Sequence, residues 1–297
     1  MTGDGGRAPG PLAGLRLAVG WLTVLPVRVG TDPDGGLPPG VPAAALRWAP
    51  VVGIGLGLAG GALLLALTAL GTSPLVAGLL VVGAGALATR GMHLDGVADT
   101  ADGLGSYGPP ERALRIMAEG GAGPFAVVTL VVVLGGQAAA LAQLSSAPPA
   151  AVLVTCALAA AVGRAGFCWV ARRGTPAARP GGLGATVAGS QPAWVAPLWW
   201  TVLTGLGATA LVAAVDPAGG ARRYADYLPG DAAELPGVLT GPGIVLVTVG
   251  AVLAAALLVA GLARHTRRRF GGMSGDVLGA AETLAATTVL VVLAAAL

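Results

Sequence analysis

Seven long apolar segments dominate this chain, and each is close to the length that an α-helix needs to cross a lipid bilayer. They lie at about 48–70, 74–90, 121–144, 150–171, 193–215, 240–263 and 278–297. About 20 apolar helical residues span a hydrocarbon core of about 30 Å. Only 10% of the residues are charged, against about 25% in soluble domains. The sequence therefore predicts an all-α polytopic membrane protein, with one membrane-embedded domain over residues 1–297.

A shorter apolar stretch, LAGLRLAVGWLTVL, occupies residues 12–25. It has too few residues to span a bilayer and it contains Arg16. We expect an interfacial or re-entrant segment here rather than a span. The residues before it lack a basic region followed by an apolar one, so we expect no cleaved signal peptide.

Arginine supplies all 17 basic residues, and their distribution predicts the topology. With the N-terminus in the cytoplasm, 15 of them fall in or beside the regions 1–47, 90–120, 171–192 and 264–277. The outside loop at 216–239 contains only Arg222 and Arg223. This positive-inside bias predicts that the charged motifs face the cytoplasm. The arginines form no patch studded with aromatic residues, so no nucleic-acid partner is expected.

The stretch RGMHLDGVADTADG, residues 90–103, concentrates acid beside the second apolar segment. Asp95, Asp99 and Asp102 are spaced i, i+4, i+7 and so share one face of a helix. Three carboxylates on one face repel each other unless a cation lies among them, and Mg²⁺ pairs such ligands with substrate phosphates. We predict that these aspartates bind Mg²⁺ and that Gly96 and Gly103 leave room for a phosphate. A solvated acidic helix face is the alternative.

His93 precedes this acidic face by two residues and does not share it. We predict a catalytic role for it from the loop before the helix, with a structural hydrogen bond as the alternative. Arg90, at the start of the same stretch, is a candidate for binding substrate.

The stretch RHTRRRFGGMSGDVLGAAE, residues 264–282, leads into the last apolar segment. A glycine-rich helix N-terminus with arginines upstream is a natural anion site. We expect Gly271, Gly272 and Ser274 to bind substrate there and Asp276 to be catalytic. An ordinary helix cap and a basic membrane flank are the alternatives. Glu282 lies inside the apolar segment, where an ionisable residue points to function.

Two further basic stretches precede or follow apolar segments. ERALRIMAEGGAGPF, residues 111–125, supplies Arg112, Arg115 and Glu119 as candidate substrate-binding residues. ARRGTPAARPGGLGA, residues 171–185, is predicted to be a cytoplasmic loop. We expect Arg164, about two turns before that loop, to reach the membrane interface by snorkelling. Together the stretches predict a membrane enzyme with a cytoplasmic, Mg²⁺-dependent site for a diphosphate.

The stretch RGMHLDGVADTADGLG closely resembles the signature of the cobalamin synthase family, the adenosylcobinamide-GDP ribazoletransferases. LAVGWLTVLPV (17–27), RWAPVVGIGLG and GGMSGDVLGAAE resemble further family segments in the same order, so the resemblance spans nearly the whole chain. It implies that α-ribazole, or its 5′-phosphate, is joined to adenosylcobinamide-GDP with release of GMP and with Mg²⁺ as cofactor. It also implies a location in the cytoplasmic (inner) membrane. The acidic positions of the family fall on Asp95, Asp99 and Asp102. Its other motif positions fall on His93, Gly271, Gly272 and Asp276.

The chain departs from the family pattern at one place. Where the family reads Met-Lys-Asp-Ser before a glycine, this chain has Met117, Ala118 and Glu119 followed by Gly120. The acid survives as Glu119, and Arg112 or Arg115 is left to supply the missing charge. The oligomeric state is not indicated, and a homo-oligomer remains open.

Two other classes of membrane protein compete with this interpretation. A CDP-alcohol phosphotransferase also has an aspartate-rich helix, but its pattern places Arg after the Asp-Gly-x-x-Ala run, where this chain has Asp99, and adds a later pair of aspartates. A cation-coupled transporter would place acids at mid-membrane on broken helices. Only Glu282 is a candidate for such a position.

Overall fold

The computed structural model describes residues 12–30, 35–215 and 241–297, and every regular element in these ranges is an α-helix. Eleven helices are described. They are α1 (Ala13–Leu22), α2 (Val41–Ala69), α3 (Pro74–Ala88), α4 (Met92–Gly105), α5 (Pro110–Glu119), α6 (Pro124–Leu144), α7 (Pro149–Val170), α8 (Gly182–Val187), α9 (Val195–Val215), α10 (Gly241–Phe270) and α11 (Gly275–Ala296).

Six of the helices are long and apolar enough to cross a membrane: α2, α6, α7, α9, α10 and α11. The sequence predicted a seventh span at 74–90, and here the structure differs. Helix α3 has 15 residues, about 22 Å at the usual helical rise, and then the chain bends by 94° into α4. The two helices have the length of a span only as a broken pair. The prediction of an all-α polytopic membrane protein is confirmed, with six or seven spans.

Two other boundaries refine the sequence prediction. Helix α1 has only 10 residues, which agrees with the prediction that the stretch at 12–25 does not span the membrane. Helix α10 continues beyond its apolar part through Arg267, Arg268 and Arg269 to Phe270. The basic run is therefore the last turn of a helix, where cations interact favourably with the helix dipole, and is not a loop.

Helix α7 forms the centre of the bundle, because most of its residues are buried against α2, α9, α10 and α11. Gly53, Gly57 and Gly61 of α2 are spaced four residues apart and face α7. A Cβ on Gly53 would lie 2.6 Å from the carbonyl oxygen of Ala160. In lipid, where helices gain little from the hydrophobic effect, such small residues allow the close packing that holds helices together.

Some predictions fall on residues outside the described ranges. The loop at 216–239, with Arg222 and Arg223, lies there, as do the first eleven residues and residues 31–34. The orientation of the bundle in the membrane therefore stays a prediction, based on the arginine distribution.

Candidate functional site

The N-terminal turns of α4 and α11 are in direct contact, and two glycines make this contact possible. A Cβ on Gly96 of α4 would lie 2.6 Å from the carbonyl oxygen of Asp276 in α11. A Cβ on Gly279 of α11 would lie 3.1 Å from Cα of His93. The two motifs of the sequence that carry acid are thus packed against each other, although 180 residues separate Gly96 from Asp276.

This packing corrects the role predicted for the glycines of the acidic motif. Gly96 makes room for the backbone of α11 rather than for a phosphate. A Cβ on Gly103 would lie 2.7 Å from Sδ of Met117 and 3.1 Å from Cζ of Phe270. Both positions are small because neighbouring helices approach them closely.

The loop between α7 and α9 is the third component of the site. It pairs with the turn before α11 through backbone hydrogen bonds from Met273 N to Pro176 O (2.9 Å) and from Ala178 N to Met273 O (2.8 Å). A Cβ on Gly184 would lie 2.9 Å from Cα of Ser274. The loop is therefore fastened to the N-terminus of α11, and its polar side chains are carried to the acidic motifs.

These three components enclose a cavity of about 540 Å³, which we call the polar cavity. Its charged lining consists of Asp95 from α4, Arg179 from the loop and Asp276 from α11. The glycine-rich turn at 181–184 and the start of α11 add backbone groups. Trp21 and Phe167 are among its apolar lining. The volume falls in the range of sites for small ligands, about 300–1,000 Å³.

Asp276 is held by two side chains at the edge of this cavity. Arg179 Nη2 donates to its Oδ2 at 2.7 Å, and Ser274 Oγ donates to the same oxygen at 3.1 Å. Ser274 is also the N-cap of α11, because its Oγ accepts from Val277 N at 3.3 Å. The helix cap that was the alternative for Ser274 is therefore present, and substrate binding by Ser274 stays a prediction. Asp276 is not the cap of α11, and its carboxylate lines the cavity.

The three aspartates of α4 lie on a helix, as the spacing predicted, but their surroundings differ. Asp95 is exposed and lines the polar cavity. Asp99 is buried. Asp102 is buried too, and its oxygens accept from the backbone of Gly123 (2.6 Å) and Ala126 (2.9 Å). Asp102 thus caps the N-terminus of α6, where a negative charge is favoured by the helix dipole.

The residues of the site fit a magnesium ion only in combination with a ligand. Among the described residues, no three His, Cys, Asp or Glu side chains are placed to hold a metal ion together. Mg²⁺ usually takes one or two protein carboxylates and completes its octahedron with water and substrate phosphates. Asp95 and Asp99 match that donor set, whereas Asp102 is already engaged by α6. Metal binding by the three aspartates stays a prediction.

His93 lies in the first turn of α4 rather than in a preceding loop, and it faces the protein interior. Its Nδ1 is 3.4 Å from Oε2 of Glu282, and Arg164 Nη1 donates to Oε1 of the same carboxylate at 2.7 Å. Arg164 is buried and bonds Ala160 O as well. Snorkelling of Arg164 to the interface was therefore a wrong prediction, since its partner is a buried acid on α11.

The remaining candidate residues do not belong to the lining of the polar cavity. Arg90 donates to the carbonyl oxygens of Gly20 (2.9 Å) and Trp21 (3.3 Å) at the end of α1. Substrate binding was also predicted for three residues that are exposed on α5, namely Arg112, Arg115 and Glu119. It was predicted as well for Gly271 and Gly272, which form the turn between α10 and α11. Gly271 has a φ of +77° there. Their roles in substrate binding stay predictions.

Two residues of the site were absent from the predicted set. Arg179 was part of a loop noted for its arginines and glycines, but no spacing pointed to Asp276 as its partner. Glu282 was noted only as an ionisable residue in a span. The partners of both residues become visible only in the tertiary structure, where α7 and the loop between α7 and α9 pack against α11.

Comparison with known proteins places this architecture among its relatives. Residues 14–294 match the family model described as cobalamin-5-phosphate synthase. The chain is similar to a protein named adenosylcobinamide-GDP ribazoletransferase from Nocardioides sp., with 37% identity over 94% of this chain and 97% of the relative. Relatives of the same name occur in Corynebacterium efficiens (35% identity, 99% and 95% coverage) and Brucella anthropi (34%, 94% and 95%). No solved structure matches the chain.

Proposed function

The chain belongs to the cobalamin-5-phosphate synthase family, and from this we propose that it is an adenosylcobinamide-GDP ribazoletransferase in a cell membrane. A ribose hydroxyl of α-ribazole, or of its 5′-phosphate, attacks the phosphorus nearer to cobinamide. A new O–P bond forms, the bond from that phosphorus to the bridging oxygen breaks, and GMP leaves with that oxygen. The product is adenosylcobalamin or its 5′-phosphate.

One observation carries the proposal: the motifs that match the family meet at one cavity. The acidic motif of α4 and the glycine-rich turn before α11 are far apart in the sequence, yet both line the polar cavity. Similarity over nearly the whole chain extends to all the elements that build this cavity. A cavity with cationic and anionic groups on glycine-rich backbone suits a diphosphate substrate.

The diphosphate of adenosylcobinamide-GDP would bind between Arg179 and the N-terminus of α11. Arg179 offers guanidinium donors, and it is intermediate in exposure, so a phosphate oxygen can approach it. The helix N-terminus adds backbone N–H groups and a partial positive charge. On binding, Arg179 would donate hydrogen bonds both to the Asp276 carboxylate and to a phosphate oxygen.

The same arrangement supports a role for Mg²⁺, with Asp95 and Asp99 as its protein ligands. A diphosphate is repelled by the carboxylates of α4 and α11 unless a cation lies between them. When bound, Mg²⁺ would neutralise charge on the diphosphate and on the leaving GMP. Asp102 would contribute by holding the start of α6 against α4.

Two groups are candidates to accept the proton of the attacking hydroxyl. Asp276 lies in the cavity lining, next to the proposed diphosphate position. His93 also lines the cavity, and its Nδ1 is 3.4 Å from Glu282 Oε2, whose carboxylate accepts from Arg164. General-base assistance of this kind contributes about 10²–10⁴-fold to a reaction rate.

The site faces the cytoplasm in this proposal, because the loop between α7 and α9 and the C-terminal turn of α10 carry the arginine-rich regions. The full-length family match does not favour a CDP-alcohol phosphotransferase. A cation-coupled transporter is not favoured either, since Glu282 is paired with Arg164.

The decisive experiment is turnover by the purified protein in detergent or nanodiscs. Adenosylcobinamide-GDP and α-ribazole, or its 5′-phosphate, would be supplied with Mg²⁺, and GMP and the cobamide product would be followed by liquid chromatography and mass spectrometry. We expect stoichiometric GMP and product, both dependent on Mg²⁺. Activity with a CDP-alcohol and a diacylglycerol acceptor instead would overturn the proposal.

A further inference from the structure

A second cavity of about 310 Å³ lies between the helices, and we call it the apolar cavity. It is partly open, since the exposed residues Ala59 and Gly85 belong to its lining. It is lined by α2, α3, α4, α6, α7 and α11, largely through small and aliphatic residues such as Gly60, Val81, Leu134 and Leu290. His93 lines both this cavity and the polar cavity. The two cavities therefore share a wall at His93.

The charged groups of the apolar cavity form one cluster. Arg164 and Glu282 are ion-paired, and Glu282 also contacts His93 and accepts from Thr283 Oγ1 at 3.1 Å. Among the described residues, Nε2 of His93 and Nε of Arg164 are buried without a hydrogen-bond partner. Buried polar atoms are almost always bonded, so two orphan atoms beside a cavity point to a ligand that supplies the missing partners.

We propose that the apolar cavity binds the aromatic base of the α-ribazole substrate, with the ribose directed toward His93. This inference rests on the proposed function. The base of α-ribazole is a dimethylbenzimidazole, which is flat, uncharged and largely apolar, with a ring nitrogen that can accept a hydrogen bond. An apolar cavity with a few convergent polar groups is the usual form of a site for such a ligand.

The chemistry of the two substrates indicates which cavity would bind which substrate. The diphosphate needs cationic and backbone donors, which line the polar cavity. A guanine in the apolar cavity would leave several of its donors and acceptors without partners, at a cost for each buried group. A corrin ring is too large for a space of about 310 Å³. The benzimidazole nucleoside is the one part of the reactants that is both small and apolar enough.

A filling substitution tests this inference, and α3 offers a matched control. Gly85 lines the apolar cavity, and a Cβ built there meets no atom within 4 Å. Gly83 lies on the same helix, is equally open, and is outside the lining. Gly85→Leu should occupy the cavity, whereas Gly83→Leu adds the same side chain elsewhere. Gly60→Ala is a gentler second variant, because its Cβ would make an ordinary contact of 3.5 Å with Val81.

The measurements are the KM of each substrate in the turnover assay and equilibrium dialysis of α-ribazole alone. We expect Gly85→Leu to raise the KM of α-ribazole about tenfold or more, as steric changes in an apolar pocket do. The KM of adenosylcobinamide-GDP should be unchanged in Gly85→Leu. Gly83→Leu should leave the KM values of both substrates unchanged. Gly60→Ala should also raise the KM of α-ribazole. An α-ribofuranosyl nucleoside with a polar purine base should bind wild-type protein more weakly than α-ribazole does.

The inference would be overturned if both Gly85→Leu and Gly60→Ala left the KM and the dialysis affinity of α-ribazole unchanged. An equal rise in the KM of both substrates would overturn it too. So would native mass spectrometry that shows a phospholipid lost from Gly85→Leu while α-ribazole binding stays intact. Failure of the proposed function is a separate result. In that case the wild-type protein would show no turnover, while dialysis would still report whether Gly85→Leu alone loses α-ribazole binding.

Discussion

Arg179 and Asp276 form a hydrogen-bonded ion pair of 2.7 Å that joins the loop after α7 to the first turn of α11. Both side chains are partly accessible, at 34% and 22% of their full exposure. The pair neutralises the carboxylate at the edge of the polar cavity and keeps the guanidinium oriented toward it. A phosphate that enters the cavity therefore meets a preorganised cation rather than a mobile one.

Arg179→Gln should raise the KM of adenosylcobinamide-GDP and lower turnover, because a charge-assisted contact to the diphosphate is lost. A loss of about 10²-fold in kcat/KM corresponds to about 2.7 kcal/mol of transition-state stabilisation. Arg173→Gln is the control, since Arg173 is in the same loop and is exposed. Equal kinetics for the two variants would mean that Arg179 only fastens the loop.

Asp276→Asn should abolish most turnover and leave the thermal midpoint nearly unchanged, because Ser274 and not Asp276 caps α11. Ser274→Ala is the contrasting variant. It removes the cap, and such a loss costs about 0.5–2 kcal/mol of stability. Thermal unfolding in detergent and single-turnover rates separate the two effects. Near-normal turnover of Asp276→Asn would remove this residue from the catalytic group.

The three aspartates of α4 should respond differently to substitution by Asn. Asp95→Asn and Asp99→Asn should lose Mg²⁺-dependent turnover by about 10²-fold or more with little change in stability. Asp102→Asn should also unfold at lower temperature, by a loss of about 1–2 kcal/mol, because an amide cannot accept both backbone N–H bonds of α6. Glu111→Gln, an exposed acid on α5, is the control. Full activity and unchanged Mg²⁺ dependence in all three variants would leave the motif as a structural acidic helix.

Glu282→Gln should destabilise the protein by about 3–5 kcal/mol, because Arg164 would be left as a buried charge without a counter-ion. The double variant Arg164→Met with Glu282→Gln should recover part of this loss, since neither charge remains. Arg115→Met, on the exposed surface of α5, serves as the control. The measurement is the unfolding midpoint in detergent. A double variant less stable than either single variant would show that the pair stabilises beyond mutual neutralisation.

The arginine distribution predicts a cytoplasmic N-terminus, seven crossings and an outside C-terminus. Single cysteines in a background without Cys156 and Cys168 test it. Arg173→Cys should react with an impermeant thiol reagent only from the cytoplasmic side, and Ser146→Cys, between α6 and α7, only from the outside. Tyr227→Cys, in the loop beyond the described residues, should follow Ser146→Cys. Labelling of position 227 from the cytoplasmic side would reverse the orientation.

Local sequence patterns were sufficient to identify the elements of this protein. Apolar runs of about 20 residues mark spans because the bilayer thickness sets their length. The aspartate spacing of α4 and the capping Ser274 follow from the helical period and from the unpaired N–H groups of a helix start. The motifs around His93 and Asp276 were also sufficient to indicate the family, and hence the reaction.

Only the tertiary structure decided which charged groups meet. Arg179 and Asp276 are 97 residues apart, and Arg164 and Glu282 are 118 apart. The spacing of residues within one segment encodes the face of a helix but not the helix that will pack against it. The same limit explains why Asp102, which looked equivalent to Asp95, instead caps α6. Packing of α4 against α6 and α11 decides which of its carboxylates finds a partner, and that packing depends on side-chain contacts from the whole bundle.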